Sequence, residues 1–149
     1  MSKEYPWGKG TPVWERDATA NDSDKSFTVP TGKVRRYLTI AAQLVCTATV
    51  GNRSLRVNIT NGTDLVYQFM HSGNITASQN GALYIESPGS TGTQIRYGPG
   101  TATPSVGKQE TMPELILPAG YVIRVYDSGA IDAAADDLTV VLHYVEYDA

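Results

Sequence analysis

The chain has 149 residues, which is one domain's worth and enough to bury a core without staples. It is 41% hydrophobic and 18% charged, below the usual quarter, and its formal net charge of −3 argues against nucleic-acid binding through bulk charge. One cysteine, Cys46, excludes an intramolecular disulfide framework and a multi-cysteine zinc site, and the longest apolar run is far short of the roughly 18–20 residues that span a bilayer.

Sixteen threonines, 14 glycines and 8 prolines among β-branched residues point to an all-β chain with many turns. The first residues, Met-Ser-Lys-Glu-Tyr-Pro-Trp, are polar and carry no signal-peptide core, so synthesis in a cytoplasm is expected. Residues 1–25 sustain no period of 2 or 3.6, yet they hold both tryptophans. Disordered tails are usually poor in aromatics. The segment is therefore read as an extended arm, folded back on its own domain or docked on a neighbouring subunit through Tyr5, Trp7, Val13 and Trp14.

The clearest signal runs from Val34 to Val50. Eight of the nine even positions are apolar, and the odd ones are mostly polar. Period 2 puts the two sets on opposite faces of a strand. Seventeen residues at roughly 3.3 Å each would exceed about 50 Å, so a bend is expected near Ala41-Ala42. Cys46 belongs to the inward set and reads as an inert core thiol. Leu55, Val57 and Ile59 alternate with polar residues, and Asn61-Gly62 marks a hairpin leading to a strand over 64–71. A short strand follows at Ala82–Glu86.

Residues 87–111 hold eight Gly or Pro and read as one long exposed loop with a short strand at Thr93–Tyr97. Ile95, Arg96 and Tyr97 are its candidate partner contacts. Beyond it come strands at Glu114–Leu117, Tyr121–Tyr126 and Leu138–Tyr147, with one helical turn expected in Ala133–Ala135. Eight or nine strands without a long helix predict an antiparallel β-sandwich over 26–149, most economically a jelly roll.

The patterns that carry chemistry do not occur. His71 and His143 lack metal-ligand spacing, and no nucleophile elbow, P-loop or dinucleotide fingerprint is present. Asp127, Asp132, Asp136 and Asp137 match no calcium-loop spacing and read as turn and cap residues. The five Asn-x-Ser/Thr triplets are read as β-turn composition. Exposed tyrosines such as Tyr84, Tyr97 and Tyr126 leave a sugar-stacking row as a minor alternative. No catalytic residue, metal or cofactor is expected.

Two stretches resemble a known group. Residues 117–127 read Leu-Pro-Ala-Gly-Tyr-Val-Ile-Arg-Val-Tyr-Asp, and residues 131–140 read Ile-Asp-Ala-Ala-Ala-Asp-Asp-Leu-Thr-Val. Together with the Thr-Val-Gly-Asn-Arg core of Ala48–Ile59, they resemble small virion structural proteins of tailed bacteriophages. The resemblance covers about 34–60 and 112–146 and lies in structural turns. It implies a non-enzymatic, oligomeric protein located in the virion. Such a protein binds the major capsid protein or other virion proteins rather than nucleic acid or membrane. Capsid decoration (cement) is the leading role, with a neck, collar or tail position as the alternative and a glycan-binding attachment module behind it.

Overall fold

The computed structural model describes residues 9–71, 73–87 and 106–149. These residues contain ten strands and no helix: β1 (Thr11–Asp17), β2 (Asp24–Thr28), β3 (Lys33–Val45), β4 (Leu55–Thr60), β5 (Leu65–Met70), β6 (Asn80–Glu86), β7 (Val106–Thr111), β8 (Leu115–Pro118), β9 (Val122–Asp127) and β10 (Asp137–Asp148). One sheet runs β1-β10-β3-β6-β7, with β8 beside the first part of β3; the other runs β2-β9-β4-β5. Every pairing is antiparallel except β6 with β7. The molecule is an all-β sandwich, as its composition predicted. The chain changes sheet at β1–β2, β2–β3, β3–β4, β5–β6, β8–β9 and β9–β10.

The core is the set of inward positions that period 2 selects. Leu55, Val57 and Ile59 of β4 and Ile123 and Val125 of β9 face Leu83 and Ile85 of β6 and Leu138, Val140 and Leu142 of β10, all of them buried. Removing this apolar surface from water is the main favourable term in folding.

The long strand breaks differently from the expectation. Register with β10 passes from Thr39↔His143 to Tyr37↔Tyr144, so Leu38 is an extra residue in a bulge. The phase reverses there. Below the bulge Tyr37 reaches the core from an odd position; above it Ile40, Ala42 and Leu44 do so from even ones. The strand stops at Val45, and its edge is shared: residues 34–37 pair with β8 and 39–45 with β6.

Part of the segment read as an arm belongs to the sandwich. Thr11–Asp17 is an edge strand of the domain itself, paired with β10, and a boundary after residue 25 would cut β2. Residues 1–8 lie outside the described residues, as do 88–105 with the strand expected at 93–97. The expected loop ends early, because 106–111 is β7, parallel to β6. Asn61-Gly62 does form the β4–β5 hairpin, but as a four-residue loop. Only Gly62 takes a positive φ, and the Asn61 side chain accepts hydrogen bonds from the N–H groups of Thr63 (3.0 Å) and Asp64 (2.7 Å). Residues 132–136 form a single turn, with the N–H of Asp136 donating to the carbonyl of Asp132 at 2.8 Å.

Candidate functional site

Of the residues proposed to contact partners, Tyr5, Trp7, Ile95, Arg96 and Tyr97 lie outside the described residues. Val13 and Trp14 are adjacent on β1 and point to opposite faces. Val13 packs against the core, so it shares no outer surface with Trp14. Trp14 is 50% exposed on the outer face of the first sheet. Its indole lies flat on the His143 imidazole, ring centroids 3.6 Å apart and 4° from parallel. Partial burial lowers the His143 pKa, favouring a neutral ring there. Tyr84 and Tyr126 sit on the outer faces of opposite sheets, since their neighbours Leu83, Ile85 and Val125 fill the core. They form no common row for a sugar.

Charged clusters close both ends of the sandwich. At one end the Arg35 guanidinium, itself buried, bonds Glu146 at 2.9 Å and Glu15 at 3.4 Å and lies over the Tyr144 ring. The Tyr144 hydroxyl donates to Glu15 at 3.0 Å; burial first, then this bond, raises the phenol's pKa far above its ordinary value. At the other end Arg53, fully buried, forks onto Asp136, with Nε to Oδ2 at 2.7 Å and Nη2 to Oδ1 at 3.2 Å. Its Nη1 donates to the carbonyls of Thr49 (2.8 Å) and Gly51 (3.2 Å). The hydrogen bond to Asp136 is the chief reason the guanidinium is held charged.

Asp127, Asp132, Asp136 and Asp137 gather around this second end, where only Asp127 bonds a local backbone N–H, that of Gly129, and the others hold distant segments together. Asp136 also accepts the Thr47 N–H (2.8 Å), and Asp132 accepts the hydroxyls of Thr47 (2.6 Å) and Thr49 (2.8 Å), which lower its pKa. Asp127 accepts the N–H groups of Ser54 (2.8 Å) and Gly129 (2.9 Å), and Asp137 accepts the N–H of Asn21. Gly129 is required here, since a Cβ would lie 2.4 Å from the Asn52 carbonyl oxygen. Among the described residues no group of three His, Cys, Asp or Glu is placed to hold a metal ion. Cys46 is buried nearby; desolvation, then Asp136, pushes its thiol up to about 11, so it stays protonated at neutral pH.

The feature the sequence reading passed over is β5. Its residues Leu65-Val66-Tyr67-Gln68-Phe69-Met70 carry no charge, and it is the terminal strand of its sheet. Yet Leu65 is 54%, Val66 48%, Tyr67 42% and Met70 48% exposed. Only Phe69 packs against the core, with the Tyr67 ring stacked on it at 5.4 Å. Apolar residues are exposed on both of its faces, Tyr67 on one and Met70 on the other. The available signal was its lack of alternation, which ordinarily marks a strand buried on both sides.

No protein-family model matches the chain, and no curated protein matches it. Two solved structures are weakly similar. An arabinose-bound α-L-arabinofuranosidase aligns at 15% identity over 93% of this chain and 23% of that one, with a TM-score of 0.33. A structure of infectious bursal disease virus, Gx strain, aligns at 14% identity over 91% of this chain and 31% of that one, with a TM-score of 0.29. The chain thus spans less than a third of either protein, and neither likeness reaches a shared fold.

Proposed function

We propose that this chain is a virion structural protein of a tailed bacteriophage, a capsid decoration protein that works by binding other subunits and catalyses nothing. The observation that carries the reading is the uncharged, exposed apolar strand β5. Contiguous exposed apolar surface on a folded domain marks a protein-interaction site, and Trp14 adds an aromatic anchor on the other sheet. The sandwich is a jelly roll in this reading. Strands 1, 10, 3 and 6 face strands 2, 9, 4 and 5, as in two nested Greek keys, an architecture used by capsid and lectin domains. The turns at 117–127 and 131–140 carry the resemblance to phage virion proteins.

A decoration protein stabilises a head by mass action. It binds the assembled lattice and not the free subunit, so assembly gains the binding free energy. Repetition over the lattice turns modest single contacts into avid attachment. The test is to mix the purified protein with undecorated, expanded heads of its phage. Co-sedimentation and a raised temperature of head disruption are expected, with many copies per head. Failure to bind overturns the reading, and a copy number confined to one ring at the vertex assigns the protein to the neck instead.

A further inference from the structure

We infer that Asn61 is a self-modification site: in the folded protein the Gly62 backbone nitrogen closes on the Asn61 side-chain amide, and the residue converts to aspartate and isoaspartate. Asn80, in the chain's other Asn-Gly pair, is held intact. This inference does not rest on the virion reading.

The sequence contains two Asn-Gly pairs, Asn61-Gly62 and Asn80-Gly81. Both meet the covalent requirement for intramolecular attack on an asparagine amide, because a residue without Cβ lets its nitrogen come close. The fold treats the two pairs differently.

Asn80-Gly81 opens β6, an inner strand with β3 on one side and β7 on the other. The Cys46 N–H donates to the Gln79 carbonyl at 3.0 Å. Alternation along the β3–β6 ladder from that point makes Leu44 and Gly81 a hydrogen-bonded pair, so the Gly81 nitrogen is engaged on β3. The site is also walled in, since a Cβ at Gly81 would run into the Ile75 side chain. Ring closure there requires β6 to leave the sheet.

Asn61-Gly62 lies in the exposed four-residue loop between β4 and β5. Gly62 takes a φ of +96°, and its N–H donates to nothing among the described residues. The Asn61 side chain folds over the Gly62 peptide, its Oδ1 accepting the N–H groups of Thr63 (3.0 Å) and Asp64 (2.7 Å). Those donors sit on the oxygen that takes up negative charge when the amide carbon is attacked, the arrangement that stabilises an oxyanion.

The step balances with water alone. The Gly62 nitrogen gives its proton to solvent hydroxide and bonds to Cγ. The Cγ–Nδ2 bond breaks, and ammonia leaves with a proton taken from water, giving a cyclic succinimide. Water then adds at either ring carbonyl; one opening gives aspartate and the other isoaspartate. Nothing is oxidised or reduced. Each conversion replaces a neutral amide by a carboxylate three positions from Asp64 and adds one negative charge to a chain already at −3.

The test is peptide mapping by mass spectrometry of the full chain, held in mildly alkaline buffer either folded or in concentrated urea. In the folded chain the peptide carrying Asn61 is expected to split into aspartate and isoaspartate forms, assigned against the Asn61→Asp variant. The peptide carrying Asn80 is expected to stay as synthesised. In urea both pairs are expected to convert. Because Asn80 is reached only through the opened sheet, folding is expected to slow its conversion by roughly a thousandfold or more. An Asn61 that survives in the folded chain overturns the inference. So does an Asn80 that keeps pace with Asn61 there.

Discussion

Arg53 and Asp136 are both fully buried and bind each other in a fork, with three further hydrogen bonds completing the guanidinium's requirements. Taking two charges out of water is costly, and breaking a buried pair by removing one partner is worse than never having built it. Asp136→Asn is therefore expected to cost about 3–5 kcal/mol, measured as a lower denaturant midpoint with an unchanged slope. The double variant Arg53→Met/Asp136→Leu, which leaves no orphaned charge, is expected to lose less than the single one. The sequence offered half of this site. Asp127 was legible as a turn residue because its bond to the Gly129 N–H is local, whereas Asp132, Asp136 and Asp137 bind groups 83 to 116 positions away. Arg53 was not, because its partner is 83 positions away and only the closure of the sandwich brings them together.

The strands were readable where one face is apolar and the other polar. β4 and β9 obey that rule through their length and β10 from Asp137 to Tyr144, each inward-facing on alternate residues. β1 escaped because its inward positions are Val13, Glu15 and Asp17, not three apolar residues. The Glu15 carboxylate meets Arg35 at 3.4 Å and Asp17 meets Lys25 at 3.1 Å, so an edge strand buries partnered charge where a central strand would bury leucine. β3 was recognised as a strand, but its bulge was misplaced. Leu38 is apolar and breaks no alternation on the page, while Tyr37 counts as readily polar as apolar. The bulge sets the phase of the whole strand. Deleting Leu38 would remove the bulge and leave Tyr37 beside Thr39 in unbroken alternation, still opposite Tyr144 and facing the core. The cooperative thermal transition is therefore expected to survive the deletion. Leu38→Ala, which shortens a half-buried side chain and keeps the count, is expected to cost below about 1.5 kcal/mol. Both are read by circular dichroism.

At the scale of the whole molecule, Thr11–Asp17 belongs to the sandwich, and this changes what a truncation can report. β1 completes the first sheet along Thr11–Asp17, packs Val13 on the core and supplies carboxylates to Arg35 and Lys25. The Lys25 side chain is only 1% exposed, so losing Asp17 leaves its ammonium with Asp22 and the Thr19 carbonyl alone. That loss is worth on the order of 1–3 kcal/mol by itself, and removing β1 also opens β10, with its apolar inward row, as a new edge. Deletion of residues 1–17 is therefore expected to lower the melting temperature sharply and to cause aggregation, which would masquerade as lost binding. Deletion of residues 1–8 removes Tyr5 and Trp7 and none of the ten strands, so the melting temperature is expected to hold. If those two aromatics anchor the protein on a neighbouring subunit, the shorter deletion weakens attachment to heads while Trp14 and β5 stay in place. Full affinity after deletion of 1–8, in a chain whose melt is unchanged, would remove the arm from the interface and leave binding to the folded surfaces.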